Sequence, residues 1–244
     1  MRNTLILYVL FFVCLVTPTF ACRPLTTDDC PVIDQGKFQI ESGVSAYSYN
    51  SADNTSFLNT LTYGLLPNAQ LAVDVPYTQI TGAGGKLSGL SDVNIKSKIQ
   101  FLSADDHPFG VSFVLGSKLN NGDSSQGLGT GQIDLFANSI ITRATNFGAI
   151  HLNLGYTSLG QPSNSPRLSQ LNYGVAMEYN LPAGSKLLSE ISGAAIQNAD
   201  GPLQFTLGIN KNLADQFVLD GGAIFGLSPA SPNKIYALGL TVLI

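Results

Sequence analysis

The stretch SDVNIKSKIQFL, residues 91–102, alternates between two kinds of side chain. Val93, Ile95, Ile99 and Phe101 share one parity, and charged or amide residues occupy the other. Successive side chains of a β-strand point to opposite faces, so this spacing predicts a strand with one apolar and one polar face. Helical spacing is not sustained anywhere in the stretch.

The same alternation recurs along the chain after residue 36, separated by turns and loops. Further alternating segments lie near residues 71–77, 133–141, 150–156, 171–179, 203–209 and 236–244. Five short turns are indicated near residues 67–68, 105–108, 144–146, 182–184 and 211–212. Six longer Gly/Ser/Asn-rich loops alternate with them, near residues 50–54, 82–89, 120–130, 157–167, 198–202 and 228–233.

This alternation of connections predicts an all-β fold, an antiparallel up-and-down transmembrane β-barrel of about twelve strands. Ten or fourteen strands are the alternatives. Outer-membrane barrels have short turns on the periplasmic side and longer loops outside, so both termini are expected in the periplasm. Aromatic residues should then form two girdles, with Phe38 and Phe101 among those near the turns and Tyr77 and Tyr156 among those near the loops.

The composition agrees with a barrel whose every second residue meets lipid. Only 11% of the 244 residues are charged, although 44% are hydrophobic, and the formal net charge is −4. A secreted β-sandwich is the soluble alternative, but it would leave most outer faces charged. The chain lacks a basic run, so nucleic-acid binding has no support.

The first residues read as an export signal. An apolar core over residues 5–16 follows Arg2, and Ala21 ends a small-residue exit, which predicts a cleaved signal peptide over residues 1–21. An uncleaved anchor helix and a lipoprotein modified at Cys22 are the alternatives. Residues 22–36 would form a periplasmic N-terminal segment, and residues 37–244 the barrel. Cys22 and Cys30 are predicted to form a disulfide after export, since two cysteines alone supply too few ligands for a metal.

Residues 23–29 precede the first strand and leave two alternatives open. They could fold into the lumen as a small plug, with Arg23 meeting lumen carboxylates. They could instead form a turn capped by Asp28 and Asp29.

Most charged residues of the strands occupy the alternate positions that should face the lumen. The acidic ones are Glu41, Asp74, Asp92, Asp134, Glu178, Glu190 and Asp220, and the basic ones are Lys96, Lys98 and Lys118. Such a set requires a wet interior, because unpaired charges cannot be buried. It predicts a selectivity lining that slightly favours cations, with mutual pairing across a narrow barrel as the structural alternative.

Several motifs, taken in order, resemble the meta-pathway phenol-degradation family of outer-membrane transporter-like β-barrel proteins. They are RPLTTDD at residues 23–29, GKFQIE at 36–41, LTYGL at 61–65, VDVPY at 73–77, GSKL at 116–119, GD at 122–123 and GLT at 239–241. The resemblance implies an outer-membrane barrel that takes up small organic molecules. The pair Cys22 and Cys30 and the terminal Ile244 depart from the pattern.

These observations predict a channel or transporter for small solutes, aromatic or other organic molecules included, in the outer membrane of a Gram-negative bacterium. A non-conducting structural or adhesin-type barrel is the alternative. An enzyme is not expected, because His107 and His151 are the only histidines and neither is placed to activate a nucleophile. The expected partners are outer-membrane lipid, small-molecule solutes and the barrel-assembly machinery; no cofactor or metal is expected.

Overall fold

The computed structural model describes residues 23–49, 53–82, 85–162 and 165–244. The predicted signal peptide, residues 1–21, and Cys22 lie outside these ranges. Within them, the chain forms thirteen β-strands and two short 3-10 turns, Ser124–Gln126 and Pro182–Gly184. The strands are β1 Phe38–Ser48, β2 Asp53–Leu66, β3 Ala69–Gly82, β4 Gly85–Leu90, β5 Asn94–Leu102, β6 Gly110–Lys118, β7 Asp134–Thr145, β8 Gly148–Leu159, β9 Leu168–Leu181, β10 Ser185–Ile196, β11 Leu203–Ala214, β12 Phe217–Gly226 and β13 Lys234–Leu243. No helix in the described ranges is long and apolar enough to span a membrane.

The strands close into a twelve-stranded antiparallel barrel. Neighbours in sequence pair with one another except β4 with β5, and β1 pairs with both β2 and β13, which closes the sheet. β4 and β5 both pair with β3, β4 along residues 77–82 and β5 along residues 69–74, so together they form one strand of the wall. The predicted fold class and strand number are confirmed.

Two predicted boundaries near this divided strand are wrong. Residues 85–90 are the strand β4 and not part of a loop. They pair with residues 77–82 of β3, and Tyr77 donates a hydrogen bond to Ser88. The following strand begins at Asn94 and not at Ser91. The backbone leaves the ladder at Asp92, whose carboxylate binds the loop after β6.

The turn predicted near residues 211–212 also lies elsewhere. β11 continues to Ala214 before β12 begins at Phe217. An irregularity in the register between Asn212 and Ala214 lengthens this hairpin.

The two ends of the barrel differ in their connections. One end, called the turn end here, holds the start of β1, the end of β13 and the short turns, such as residues 67–68 and 146–147. The other end, the loop end, holds the longer connections, including residues 119–133.

The distribution of polarity is the reverse of that in a soluble protein. Phe101 is 62% exposed on the outer face, and Leu152, Tyr173 and Leu240 are exposed as predicted. Among the inward side chains, Thr206 is fully buried. Polar residues therefore share the interior with buried apolar ones such as Ile140 and Leu188, while apolar residues cover the outside, as in a barrel surrounded by lipid.

Many of the outward aromatic residues lie near the two ends, although Phe113 and Tyr173 are exposed nearer the middle of β6 and β9. Those exposed near the turn end are Phe38, Phe101, Phe109, Tyr179 and Phe217, and those near the loop end are Tyr77, Tyr156 and Tyr236. Tyr63 is half-buried because its ring lies against Phe38, with the ring centroids 4.7 Å apart.

Candidate functional site

Residues 23–36, called the N-terminal segment from here on, lie inside the barrel. The segment contacts the wall strands in reverse order of sequence before it enters β1. Arg23 contacts β12, Leu25 contacts β9 and β10, and Asp28 contacts β8. Further along the segment, Cys30 contacts β7 and β6, Ile33 contacts β3, and Gly36 contacts β2. The segment therefore makes an almost complete circuit of the inner wall.

Arg23 anchors the beginning of this circuit. Its Nε lies 3.7 Å from Glu41 Oε2, and its Nη2 lies 3.3 Å from Asp220 Oδ2. Nη2 also donates to the carbonyl of Leu240. The structure thus matches the alternative in which Arg23 meets carboxylates inside the lumen.

Glu190 holds the next part of the segment without a basic partner. Its side chain accepts hydrogen bonds from Thr26 Oγ1 at 2.8 Å, from the Thr27 amide at 2.6 Å and from Ser192 Oγ at 2.8 Å. Glu190 is only 2% exposed, and no cation within the described ranges lies at ion-pair distance from it. Hydrogen bonds from neutral donors stabilise a buried carboxylate in place of an ion pair.

Lys98 on β5 holds the middle of the segment. Its ammonium donates to Asp28 Oδ1 at 2.9 Å, to the Asp29 carbonyl at 2.9 Å and to the Pro31 carbonyl at 3.1 Å. Asp29 Oδ1 lies 3.3 Å away. The Lys98 side chain is only 7% exposed, so this is a buried charge surrounded by acceptors.

Cys30, a residue of the segment, is fully buried between the segment and the wall. Its amide donates to Thr142 Oγ1, and its Sγ lies 2.9 Å from Ser112 Oγ. Burial raises the pKa of the Cys30 thiol. Among the described residues Cys30 has no disulfide partner, and Cys22 lies outside them, so the Cys22–Cys30 bond stays a prediction.

The wall is shaped to receive the segment. A Cβ atom at Gly208 would lie 2.6 Å from Pro24 Cγ, and one at Gly222 would lie 2.5 Å from the same atom. At Gly110 an added Cβ would lie 2.8 Å from Cys30 Sγ. Such separations are shorter than van der Waals contact, so only glycine allows this close approach without displacing the segment.

Other predicted charges pair away from the segment. At the loop end, Lys118 lies between Asp92 at 3.3 Å and Asp134 at 3.0 Å. Glu178 pairs with Lys186 at 2.7 Å and lies 3.7 Å from His151, a neighbour that the parity pattern alone did not predict.

Asp92 fixes the loop over residues 119–133. Its oxygens accept hydrogen bonds from the amides of Gly122 at 2.9 Å and Thr130 at 2.8 Å. Burial by itself would raise the pKa of Asp92. These two amides together with Lys118 outweigh burial and hold that pKa below its usual value. The carboxylate is therefore a structural ligand for the loop.

A cavity of about 620 Å³ lies between the N-terminal segment and the wall. Ten strands contribute to its lining, from β1 to β11 without β4. Gln39, the second residue of β1 at the turn end, lines it, as does Gln204, the second residue of β11 at the loop end. The cavity thus reaches residues close to both ends of the barrel.

The predicted site residues divide into two groups around this cavity. Glu41, Asp74, Lys96 and Lys98 line it, together with Arg23, Asp28 and Asp29 from the segment. Asp92, Lys118, Asp134, Glu178, Glu190 and Asp220 do not line it.

The two sides of the cavity have different chemistry. All seven charged lining residues come from the N-terminal segment, β1, β3 and β5, and we call this side the charged wall. The side formed by β7 to β11 has no charged residue among its lining and carries the amides of Asn138, Asn153, Gln170, Asn172 and Gln204; we call it the amide wall.

The amides of this wall are joined by hydrogen bonds. Asn138 donates to Asn153 Oδ1 at 2.8 Å, Gln170 donates to Asn172 Oδ1 at 2.6 Å, and Asn172 donates to Thr157 Oγ1 at 3.0 Å. The sequence analysis did not predict this wall, because it selected site residues by charge and these residues are neutral. Their inward parity within the alternating segments was the signal that could have revealed them.

Comparisons with known proteins show the same fold. The barrel is similar to the crystal structure of an outer membrane channel from Pseudomonas putida F1, with a TM-score of 0.71 and 13% identity over 88% of this chain and 98% of that chain. It is also similar to the NanC porin, with a TM-score of 0.59 and 10% identity over 84% of this chain and 98% of that one. For the KdgM porin the TM-score is 0.53 and the identity 7%, with the same two coverages of 84% and 98%. No curated protein sequence matches the chain.

The sequence itself matches one family model over most of the chain, from residue 22 to residue 243. The match includes the N-terminal segment as well as every strand of the barrel. The chain therefore belongs to the family described as "Putative MetA-pathway of phenol degradation".

Proposed function

We propose that the protein is an outer-membrane channel for small solutes, which pass through the cavity between the N-terminal segment and the wall. One observation carries this proposal: the cavity of about 620 Å³ is lined by residues near both ends of the barrel, from Gln39 to Gln204. Charged side chains on one side and amides on the other suit the passage of hydrated molecules. The channels and porins with the same fold support the proposal.

The proposed location follows from the outer surface. Apolar side chains such as Leu154 and Leu238 are more than half exposed and would meet outer-membrane lipid. The turn end, which holds both termini of the barrel, would face the periplasm, and the longer loops would face outward. Export by a cleaved signal peptide and insertion by the barrel-assembly machinery belong to this proposal.

The solutes must be small because the N-terminal segment occupies part of the lumen. A twelve-stranded barrel has more internal room than an eight-stranded one, whose interior side chains can fill. Here the segment fills much of that room and leaves a narrow route. Small organic molecules, aromatic ones included, fit such a route, and Phe136 offers a ring in the lining. The function needs no catalytic group or cofactor.

The test is transport by the refolded mature protein. Single-channel conductance in planar bilayers and uptake of small solutes by proteoliposomes should both exceed those of protein-free membranes. Asn172→Trp, which places a large ring in the cavity, should reduce both. Leu171→Trp, on the outward face of the same strand β9, should leave both unchanged, because Leu171 is 44% exposed on the outside. A folded wild type that conducts nothing and takes up no solute would instead support a structural or adhesin-type barrel.

A further inference from the structure

Lys96 is the cation of the charged wall that is most open to the cavity. Its side chain is 35% exposed, compared with 7% for Lys98 and 19% for Arg23. Its single ion-pair partner in the described part of the chain is Asp74 Oδ2, 3.0 Å away. An ammonium group has three hydrogens, so Lys96 can donate to a solute while it keeps this partner.

Asp28 is the carboxylate of the charged wall that is open to the cavity in the same way as Lys96. Its side chain is 38% exposed, whereas those of Asp29 and Asp74 are 8% and 9% exposed. Lys98 and the Asp29 amide both donate to Asp28 Oδ1. Within the described ranges no hydrogen bond engages Asp28 Oδ2, so this oxygen is open to a donor on a solute.

The two groups belong to one recess. Asp28 and Lys96 both line the large cavity, and both also line a small side pocket of about 20 Å³ beside it. Gln70, Ala72 and Val114 complete the lining of that pocket with Lys98. A solute in the cavity therefore meets one exposed cation and one exposed carboxylate at the same place.

From this placement, and resting on the channel function proposed above, we propose that the charged wall recognises small zwitterionic solutes. The solute carboxylate accepts hydrogen bonds from Lys96, and its ammonium donates to Asp28 Oδ2. The rest of the solute faces the amide wall, where neutral groups such as Asn138 and Asn172 bind polar atoms without favouring either charge. Compounds of the amino-acid type are the matching class.

Tracer flux into proteoliposomes at zero membrane potential tests this inference with four probes of similar size. They are β-alanine as the zwitterion, β-alaninamide as the cation, 3-hydroxypropionate as the anion and erythritol as the neutral reference. We expect β-alanine to enter roughly two- to fivefold faster than either singly charged probe, the factor that partly exposed ion pairs provide.

Substitutions separate the two recognition groups. Lys96→Met should remove the advantage of β-alanine over the cation, and Asp28→Asn should remove its advantage over the anion. Lys186→Met is the matched control, because Lys186 is equally 35% exposed and pairs with one carboxylate, Glu178, but does not line the cavity. This control should leave every flux ratio unchanged, and erythritol flux shows that each variant still forms a channel.

The outcomes distinguish this inference from the channel proposal. If erythritol enters but β-alanine is no faster than its charged analogues, the zwitterion inference is overturned while the channel remains. If Lys186→Met changes the ratio of β-alanine flux to charged-probe flux as much as Lys96→Met or Asp28→Asn does, the recess is not the recognition site and the inference is again overturned. If erythritol does not enter through folded wild type, both proposals fail.

Discussion

Replacing Lys98 with Met should release the middle of the N-terminal segment from the wall. Met has a similar length but no donor, so the two carboxylates and two carbonyls within 3.3 Å of the ammonium lose their partner. Removing one member of a buried ion pair costs about 3–5 kcal/mol. Asp28 is 38% exposed and regains water, so we expect the lower end of this range, about 3 kcal/mol of unfolding free energy.

The assay combines equilibrium unfolding with the reactivity of a buried thiol. Urea unfolding in lipid vesicles of wild type, Lys98→Met, Asp29→Asn and the double variant gives a coupling energy between the two side chains, which should be about 1–3 kcal/mol. Cys30 is fully buried beside Asp29. Its modification by maleimide in the reduced protein should therefore be much faster in Lys98→Met than in wild type.

Lys186→Met serves as the control, because Lys186 pairs with Glu178 and makes no contact with the segment. It should leave the labelling of Cys30 unchanged. Additive effects of Lys98→Met and Asp29→Asn, together with unchanged Cys30 labelling, would refute the conclusion that Lys98 anchors the segment.

Three further predictions test other parts of the structure. Gly208→Leu should displace Pro24 and increase maleimide labelling of a cysteine introduced near the start of the segment, whereas substitution of an outward residue should not. Leu152→Lys should destabilise the barrel by about 2–4 kcal/mol in vesicle unfolding experiments, because it places a charge against lipid near the middle of β8. Asp92 has a lowered pKa in the folded state, so its contribution to stability is complete above the unfolded pKa of about 3.9 and is lost as pH falls through the folded value. Protection of the loop amides that it binds, measured by hydrogen exchange relative to the intrinsic rate at each pH, should fall below about pH 4 in wild type and be low at every pH in Asp92→Asn.

The sequence alone could predict the barrel because lipid imposes a period of two on each strand. In β5, Ile95, Ile99 and Phe101 are all exposed, as their shared parity predicts. The pattern is local, so it can be recognised without knowing which strands are neighbours. The alternation of short and long connections then gives the number of strands. This pattern too can be recognised without knowing which strands are neighbours.

The strand β4 could not be predicted in this way. Residues 85–90 contain two glycines, a lysine and a serine, a composition typical of a loop. Their strand conformation depends on pairing with the upper half of β3, in which Leu87 lies opposite Ile80. Information about such a pairing is distributed between two segments and has no local period.

The roles of the lumen charges could not be predicted from the sequence, for a related reason. Parity indicates which side of the sheet a residue faces, but it does not give its height or its partner. Asp134 and Glu178 were equivalent to Asp74 on that basis. The structure pairs Asp134 with Lys118 and Glu178 with Lys186, outside the cavity, whereas Asp74 lines it beside Lys96. Their influence on selectivity stays a prediction.

The N-terminal segment explains why a barrel with so little charge places much of it inside. Arg23, Glu190 and Lys98 are used to hold the segment, because its backbone follows no regular structure and needs partners from the wall. Their side chains are at least four-fifths buried in these contacts and are poorly placed to bind a passing solute. Lys96 and Asp28 keep an exposed atom and an unused donor or acceptor. Asp28 is shared, because its Oδ1 accepts from Lys98 while its Oδ2 stays open, but the other charges that hold the segment differ from the one that can bind a solute.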